Sequence, residues 1–412
     1  MVEYNCRHCR AVLSETVIDL GVAPLSNSFL SSAQLENMEP FYPLKALVCS
    51  HCFLVQLIDY ESPSNIFTEE YAYFSSYSES WLSHARSYVG MMTRRFGLGQ
   101  ESKVVEIASN DGYLLQYFVE NGIPVLGIEP AGNCATVAIK KGVETIIEFF
   151  SASLAASLAD QGIKADLLLG NNVLAHTPDL NDFVAGLPII LKKTGVITME
   201  FPHLLRLFKK NQYDTIYHEH YSYLSLTIVE KIFREVQLTI FDVEELETHG
   251  GSIRIFARHT DTHGPQITSN VSRVMLSERE YGLDKIETYR DFKKRVEEHK
   301  LAVLEFFIEA KRNGKQIVGY GAPAKGNILL NYCGIRTDFI DYTVDKNTYK
   351  QGMFLPGVHI PVVAPERIYE TKPDYVVILP WNIKEEIMRQ MADIRSWGGR
   401  FVTLSPKVEV NE

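Results

Sequence analysis

The sequence predicts an α/β protein built around a doubly wound parallel sheet. Three observations carry this expectation. The apolar run Val104–Ile107 reads as a buried strand and is followed by the small-residue turn Ala108-Ser109-Asn110-Asp111-Gly112. A helix over Tyr113–Asn121 and a second strand, Pro124–Ile128, ending in Glu129, complete a strand, turn, helix, strand, acid order. That order is the first unit of a nucleotide-binding sheet. Two further apolar runs, Ala165–Gly170 and Gly195–Glu200, continue the sheet.

Each element also carries a chemical expectation. A carboxylate at the end of the second strand, Glu129, can accept both hydroxyls of a ribose, although an acid in that place also serves simply as a helix cap. The first turn is a poor cradle for a diphosphate, because it lacks G-x-G-x-x-G and carries Asp111. A negative turn suits a ligand with a cationic sulfur and an amino acid tail, so S-adenosylmethionine fits better than NAD. Glu106, Ser109, Asn110, Asp111, Gly112, Glu129 and Asn171 are therefore the candidate cofactor-binding residues. Asn171 opens the N-N-V-L-A-H segment at the end of the third strand and His176 closes it. Ligands in such sheets bind outside those strand ends.

The six cysteines are not scattered. Cys6 and Cys9 form one C-x-x-C pair, and Cys49 and Cys52 form another. Two such turns bring four thiolates onto one tetrahedral ion, so the pattern predicts a structural zinc. The alternative is four reduced thiols. His8 and His51 sit inside the knuckles but are surplus to a closed shell. Cys134 and Cys333 read as small buried residues.

The stretch Tyr217-His218-Glu219-His220-Tyr221-Ser222-Tyr223 is titratable or hydroxyl-bearing throughout. It lacks the spacing of a zinc-protease helix. If extended, it points Tyr217, Glu219 and Tyr221 one way and His218 and His220 the other. It is either a general base with its tuning partners or a hydrogen-bonded polar core. The segment 71–78, with Tyr71, Tyr73 and Tyr77, reads as a lid or as packing between domains. His249-Gly250-Gly251-Ser252-Ile253-Arg254 ends in a charge for a phosphate, or else is a turn entering a strand.

The last third opens with a charged, helix-periodic run, Asp284–Arg312. Strand Gln316–Tyr320 then leads through G-A-P-A-K-G-N into a helix from Ile328. Lys325 stands where a helix N-terminus favours anions. A strand over Phe339–Val344 ends at Asp345, and another over Tyr375–Pro380 delivers Trp381 and Asn382. Lys325, Trp381 and Asn382 join Tyr71, Tyr73, Tyr77, His249 and Arg254 as candidate substrate contacts.

These blocks together resemble the sugar-nucleotide C-methyltransferases of deoxysugar biosynthesis, which act on thymidine-diphosphate-linked keto-sugars. The resemblance rests on the two Cys-x-x-Cys pairs and on E-I-A-S-N-D-G-Y-L-L, N-N-V-L-A-H, Y-H-E-H-Y-S-Y, H-G-G-S-I-R and G-Y-G-A-P-A-K-G in this order, over nearly the whole chain. It implies a small zinc domain (1–70), a Rossmann-like methyltransferase domain (71–282), and a C-terminal α/β domain that helps bind the nucleotide (283–412). It further implies His220 as general base beside Tyr217 and Glu219, His176 as a substrate-positioning residue, and a tyrosine from segment 71–78. Rival expectations on the same scaffold are an O- or N-methyltransferase and a non-catalytic cofactor-binding module.

Composition bounds these expectations. A chain of 412 residues suggests two or three domains. A hydrophobic content of 46% with 22% charged residues is that of a globular protein. The net charge of -10 argues against a nucleic-acid partner. No apolar run reaches the roughly 18 residues of a membrane span, and no signal peptide is recognised, so the cytoplasm is the expected location.

Overall fold

The computed structural model describes residues 4–62 and 73–411. They divide into two compact units. The first comprises Met1–Ser14, Cys49–Leu205 and Tyr221–Asp284; the second comprises Glu15–Val48, Arg206–His220 and Lys285–Glu412. A contiguous three-domain reading does not anticipate that Glu15–Val48 belongs with the C-terminal third. The physical reason is a set of bonds over more than 250 residues of chain. Leu30 and Phe354 exchange two backbone hydrogen bonds of 3.1 and 2.8 Å, the Gly357 N–H donates to Glu39 at 2.8 Å, and Arg290 forks onto the Glu15 carboxylate.

The first unit is built on a seven-stranded sheet. Its order is Leu238–Leu246, Ser252–His259, Leu191–Pro202, Ala165–Asn171, Val104–Ile107, Val125–Ile128, Thr145–Ile146. The strands from Leu191–Pro202 to Thr145–Ile146 run parallel, while Ser252–His259 pairs antiparallel with both of its neighbours. Leu167, Leu168 and Leu169 are fully buried, as a strand covered on both faces requires. Strand order reverses at Val104–Ile107, which lies between the second and third strands of the chain pattern. The switch point of the sheet therefore falls at the predicted turn. The helix expected from Tyr113 starts two residues later, as Leu115–Glu120.

Small residues around that turn are there for space. A Cβ on Gly127 would come within 2.4 Å of the Ser109 hydroxyl oxygen. The turn can fold over the neighbouring strand only because position 127 has no side chain. Ala108 (φ 58°) and Asn110 (φ 50°) both adopt the left-handed conformation that side chains resist.

The second unit has a six-stranded sheet in the order Val362–Val363, Thr343–Val344, Ile317–Tyr320, Tyr375–Ile378, Arg400–Thr403, Glu409–Asn411, parallel except for the last strand. The long helix is Ile286–Arg312. The following helix is Ala324–Cys333, four residues longer at its start than the apolar pattern suggests. Gly326 permits this, since a Cβ there would meet the Leu379 Cβ at 2.7 Å. The predicted strand Phe339–Val344 is ordered as a ladder only at Thr343–Val344.

The two sheets use one device twice. Glu129, ending the second strand of the first unit, accepts the Asn110 N–H from the preceding turn and its own downstream Ala131 N–H, each at 2.8 Å. Asp345, ending the corresponding strand of the second unit, accepts the Ala322 N–H at 2.7 Å and the Asn347 N–H at 2.8 Å. Among the described residues no helix is long and apolar enough to cross a membrane.

Candidate functional site

The cysteines form two matching knuckles. In the first, the Arg10 N–H returns to the Cys6 carbonyl and the Cys6 N–H to Ala11; in the second, Phe53 returns to Cys49 and Cys49 to Leu54. Arg10 (φ 64°) and Phe53 (φ 62°) occupy the same left-handed position four residues after the leading cysteine. The four Sγ atoms lie within 4.8 Å of one another, with Cys6–Cys52 at 3.6 Å and Cys9–Cys49 at 3.5 Å. Those separations are too long for disulfides and match the ~3.8 Å edge of a tetrahedron with zinc–sulfur bonds of about 2.3 Å. His8 faces Asn181 and Glu235 instead, and His51 is exposed. Four thiolates close the shell and leave no position for substrate. Cys134 and Cys333 are buried elsewhere.

The cofactor candidates converge at the switch point of the first sheet. Glu106, Ser109, Asn110, Asp111, Glu129 and Asn171 are all buried. Four acceptor-rich groups have sealed oxygen atoms that lack a protein hydrogen bond: both Glu106 carboxyl oxygens, Ser109 Oγ, Asp111 Oδ1 and Asn171 Oδ1. Such a set fits a ligand bringing a cationic centre and N–H or O–H donors. Burial drives the Glu106 carboxyl well above the usual range against the pull of Tyr113, and the Glu129 and Asp111 charges add to the rise. Burial also pushes Glu129 up to about 7, against the pull of the Ala131 and Asn110 N–H groups. Asp111 is not a bare charge, since Lys141 Nζ lies 3.4 Å away.

The described part of the aromatic segment lies over this turn. The Asn110 side chain accepts the Ser75 N–H at 2.9 Å and donates to the Tyr73 carbonyl at 3.1 Å, as a strand neighbour would. Lys141 Nζ bonds Ser76 Oγ and the Asp111 carbonyl, each at 2.8 Å. Tyr73 and Tyr77 are exposed; Tyr71 lies outside the described residues. His176 closes a short helix, Leu174–His176, at the end of strand Ala165–Asn171.

Two substrate candidates of the first unit take different roles. Arg254 is buried, with ion pairs to Glu200 at 2.7 Å and Glu244 at 3.0 Å. Both terminal nitrogens of the guanidinium expected to meet a phosphate are thus paired with carboxylates of the same unit. Burial alone would raise Glu200, but the His84 hydrogen bond and the Arg254 charge overcome it and hold the group at about 2. His249 packs edge-on against Trp81 at 4.8 Å and meets Asn172 at 3.0 Å. Trp81 also stacks on Tyr113. Trp81 and His84 carry no recognisable linear signal, because the residues they meet, Tyr113, His249 and Glu200, are remote in sequence.

The second unit holds residues 217–220 of the histidine-rich segment, which form a turn, while Ser222–Tyr223 is extended as a short strand of the first unit. The His220 N–H bonds the Tyr217 carbonyl at 2.8 Å, and the two rings lie tilted at 33° with centroids 4.0 Å apart. His218 points instead to the Pro43 carbonyl, where burial lowers its pKa. Glu219 accepts from Asn27 Nδ2 at 2.6 Å. His220 Nδ1 lies 2.9 Å from the Thr215 carbonyl oxygen. A carbonyl only accepts, so Nδ1 carries the hydrogen.

In the same unit Lys325, at the start of helix Ala324–Cys333, lies 4.8 Å from the Trp381 ring centre and donates to Asn382 at 2.8 Å. Burial lowers Lys325 to about 8, with Asp214 opposing. Asp214 accepts the Trp381 indole N–H at 2.5 Å, and burial raises it to about 6. Sequence reasoning missed Asp214, Asn27 and Lys350, which belong to no motif.

Known proteins share these features. Family models match a zinc binding domain over residues 6–67, a methyltransferase domain over 81–243 and a C-methyltransferase C-terminal domain over 247–406. The C-methyltransferase NovU of Streptomyces niveus is 35% identical over 406 residues, covering 98% of this chain and 96% of that protein. The ubiquinone biosynthesis O-methyltransferase of Bartonella quintana is 29% identical over 96 residues, which is 23% of this chain and 39% of that one. A crystal structure of magnesium protoporphyrin IX methyltransferase from Synechocystis PCC 6803 with bound SAM covers 43% of this chain and 78% of its own, at 15% identity and a TM-score of 0.33. Sheet, turn and cysteine cluster together define an S-adenosylmethionine-dependent methyltransferase that carries a zinc-binding module. Within that class, the chain belongs to the C-methyltransferase family that includes NovU.

Proposed function

We propose that the protein methylates a carbon beside the ketone of a thymidine-diphosphate-linked 4-keto deoxysugar, with His220 as the base. The observation that carries this reading is the hydrogen bond from His220 Nδ1 to the Thr215 carbonyl, which places a hydrogen on Nδ1, so that Nε2 is the basic nitrogen whenever the ring is neutral. An imidazole with a reference pKa near 6.5 suits proton removal from a carbon acidified by its neighbouring carbonyl.

Bound S-adenosylmethionine supplies an electrophilic methyl group for the carbon nucleophile. The residues of the chain do the rest. Glu106, Ser109, Asp111, Glu129 and Asn171 hold the cofactor at the strand ends. Tyr217 packs against the imidazole and limits its rotation. His176 and a tyrosine hydroxyl from Tyr71, Tyr73 or Tyr77 are donors for the developing oxyanion. Lys325, with Trp381 and Asn382, receives the nucleotide part of the substrate; a cation at a helix start beside an indole suits a diphosphate next to a base.

The test is His220→Ala with a thymidine-diphosphate-linked 4-keto sugar. Methyl transfer and solvent-deuterium exchange beside the ketone should both be abolished, while S-adenosylhomocysteine binds as in the wild type. Near wild-type exchange in this variant would place the base elsewhere. A methyl transfer without any exchange in the wild type would instead favour an oxygen or nitrogen acceptor.

A further inference from the structure

Glu219 is a buried carboxylate, 3% exposed, next in the chain to His220. A carboxylate in that position protonates or turns away unless it is paired. Two side chains from remote segments face it. Asn27 donates to Oε1 at 2.6 Å. Lys350, 9% exposed, faces the Glu219 and Asp345 charges, and these oppose the lowering of its pKa by burial.

The backbone fixes both partners. Leu30 and Phe354 are joined by a two-bond bridge, which registers the segment carrying Asn27 against the segment carrying Lys350. The Phe29 ring packs 5.1 Å from the Lys350 ammonium, whose Nζ also donates to the Ala322 carbonyl at 2.9 Å. Each partner is thus held from outside the His220 turn.

We infer that Asn27 and Lys350 are positioning residues that hold the Glu219 carboxylate in one place for the reaction at His220. This rests on the reading of His220 as the base. A fixed carboxylate on the His220 turn stabilises the imidazolium that forms when the imidazole takes a proton. Asn27 and Lys350 act only through Glu219.

The experiment uses Asn27→Ala, Lys350→Met and Lys350→Arg, each also combined with Glu219→Ala, alongside Glu219→Ala and His220→Ala alone. Two rates are read in the full-length protein. One is methyl transfer from S-adenosylmethionine to thymidine-diphosphate-linked 4-keto-6-deoxyglucose. The other is deuterium exchange into that sugar with S-adenosylhomocysteine bound. Losing the Asn27 bond to a buried carboxylate, or the Lys350 charge near it, should lower both rates by at least about tenfold in Asn27→Ala and Lys350→Met, with S-adenosylhomocysteine affinity unchanged. Lys350→Arg should restore most of the loss. In the Glu219→Ala background, the added changes should cost nothing further.

Undiminished losses in that background, or wild-type rates in Asn27→Ala and Lys350→Met while Glu219→Ala is slow, would overturn the inference and leave the base assignment standing. Wild-type rates in His220→Ala and Glu219→Ala would overturn both. Asn27 is half-buried and its replacement by Ala removes little packing, so that variant decides the question even if Lys350→Met does not fold.

Discussion

The Nδ1 atom of His220 and the backbone carbonyl of Thr215 are 2.9 Å apart, so a main-chain acceptor, which does not titrate, holds the Nδ1 hydrogen of the base candidate. The turn that makes this bond also packs the tilted Tyr217 ring against the imidazole and sends His218 to a separate carbonyl.

Replacing Cys49 by Ser, or removing zinc with a chelator, should unfold the region around the knuckles. A broken four-thiolate site should cost at least about 3 kcal/mol, or roughly 10 °C in melting temperature. Metal content by emission spectroscopy and thermal melting check this. A melting point unchanged after complete zinc loss would mean that the thiols pack without a metal.

The Glu129 carboxyl should make cofactor-free stability pH-dependent. Its folded value of about 7 lies above an unfolded value of about 4.3. The folded protein therefore binds more protons between those values. The stability from this group is fully present below the unfolded pKa and is lost as pH rises through about 7. Asp214, raised to about 6, acts in the same direction. Urea denaturation across this window should show stability falling with pH, and Glu129→Gln should flatten part of the slope.

Arg254→Met should destabilise the fold and spare substrate recognition. It strands the fully buried Glu200 carboxylate, at a cost of about 3–5 kcal/mol. Urea denaturation reads the loss. The KM for the nucleotide sugar, measured on the folded fraction, should stay within about twofold, whereas a phosphate contact would raise it by about tenfold or more.

Lys325→Met should show the opposite pattern. The KM for the nucleotide sugar should rise by about tenfold or more, with S-adenosylhomocysteine affinity unchanged by calorimetry. The wild-type KM should also rise with salt and the variant's should rise less, because one screened charge has been removed.

Local chemistry alone determined much of this protein. Two C-x-x-C pairs, an apolar run ending in a small-residue turn and an acid at the end of the next strand are legible because each is a short local pattern, although the two cysteine pairs stand about 40 residues apart and Glu129 lies 19 residues beyond Asn110. The zinc cluster and the cofactor turn were readable for that reason. Partnership across the chain was not. The fate of Arg254 depended on Glu200, 54 residues away, and the setting of Glu219 on Asn27, 192 residues away. The Glu15–Val48 segment joins the C-terminal unit through bonds that no spacing announces. Burial and hydrogen-bond partners are set where packed elements meet, and only the tertiary structure decides which distant side chains arrive there.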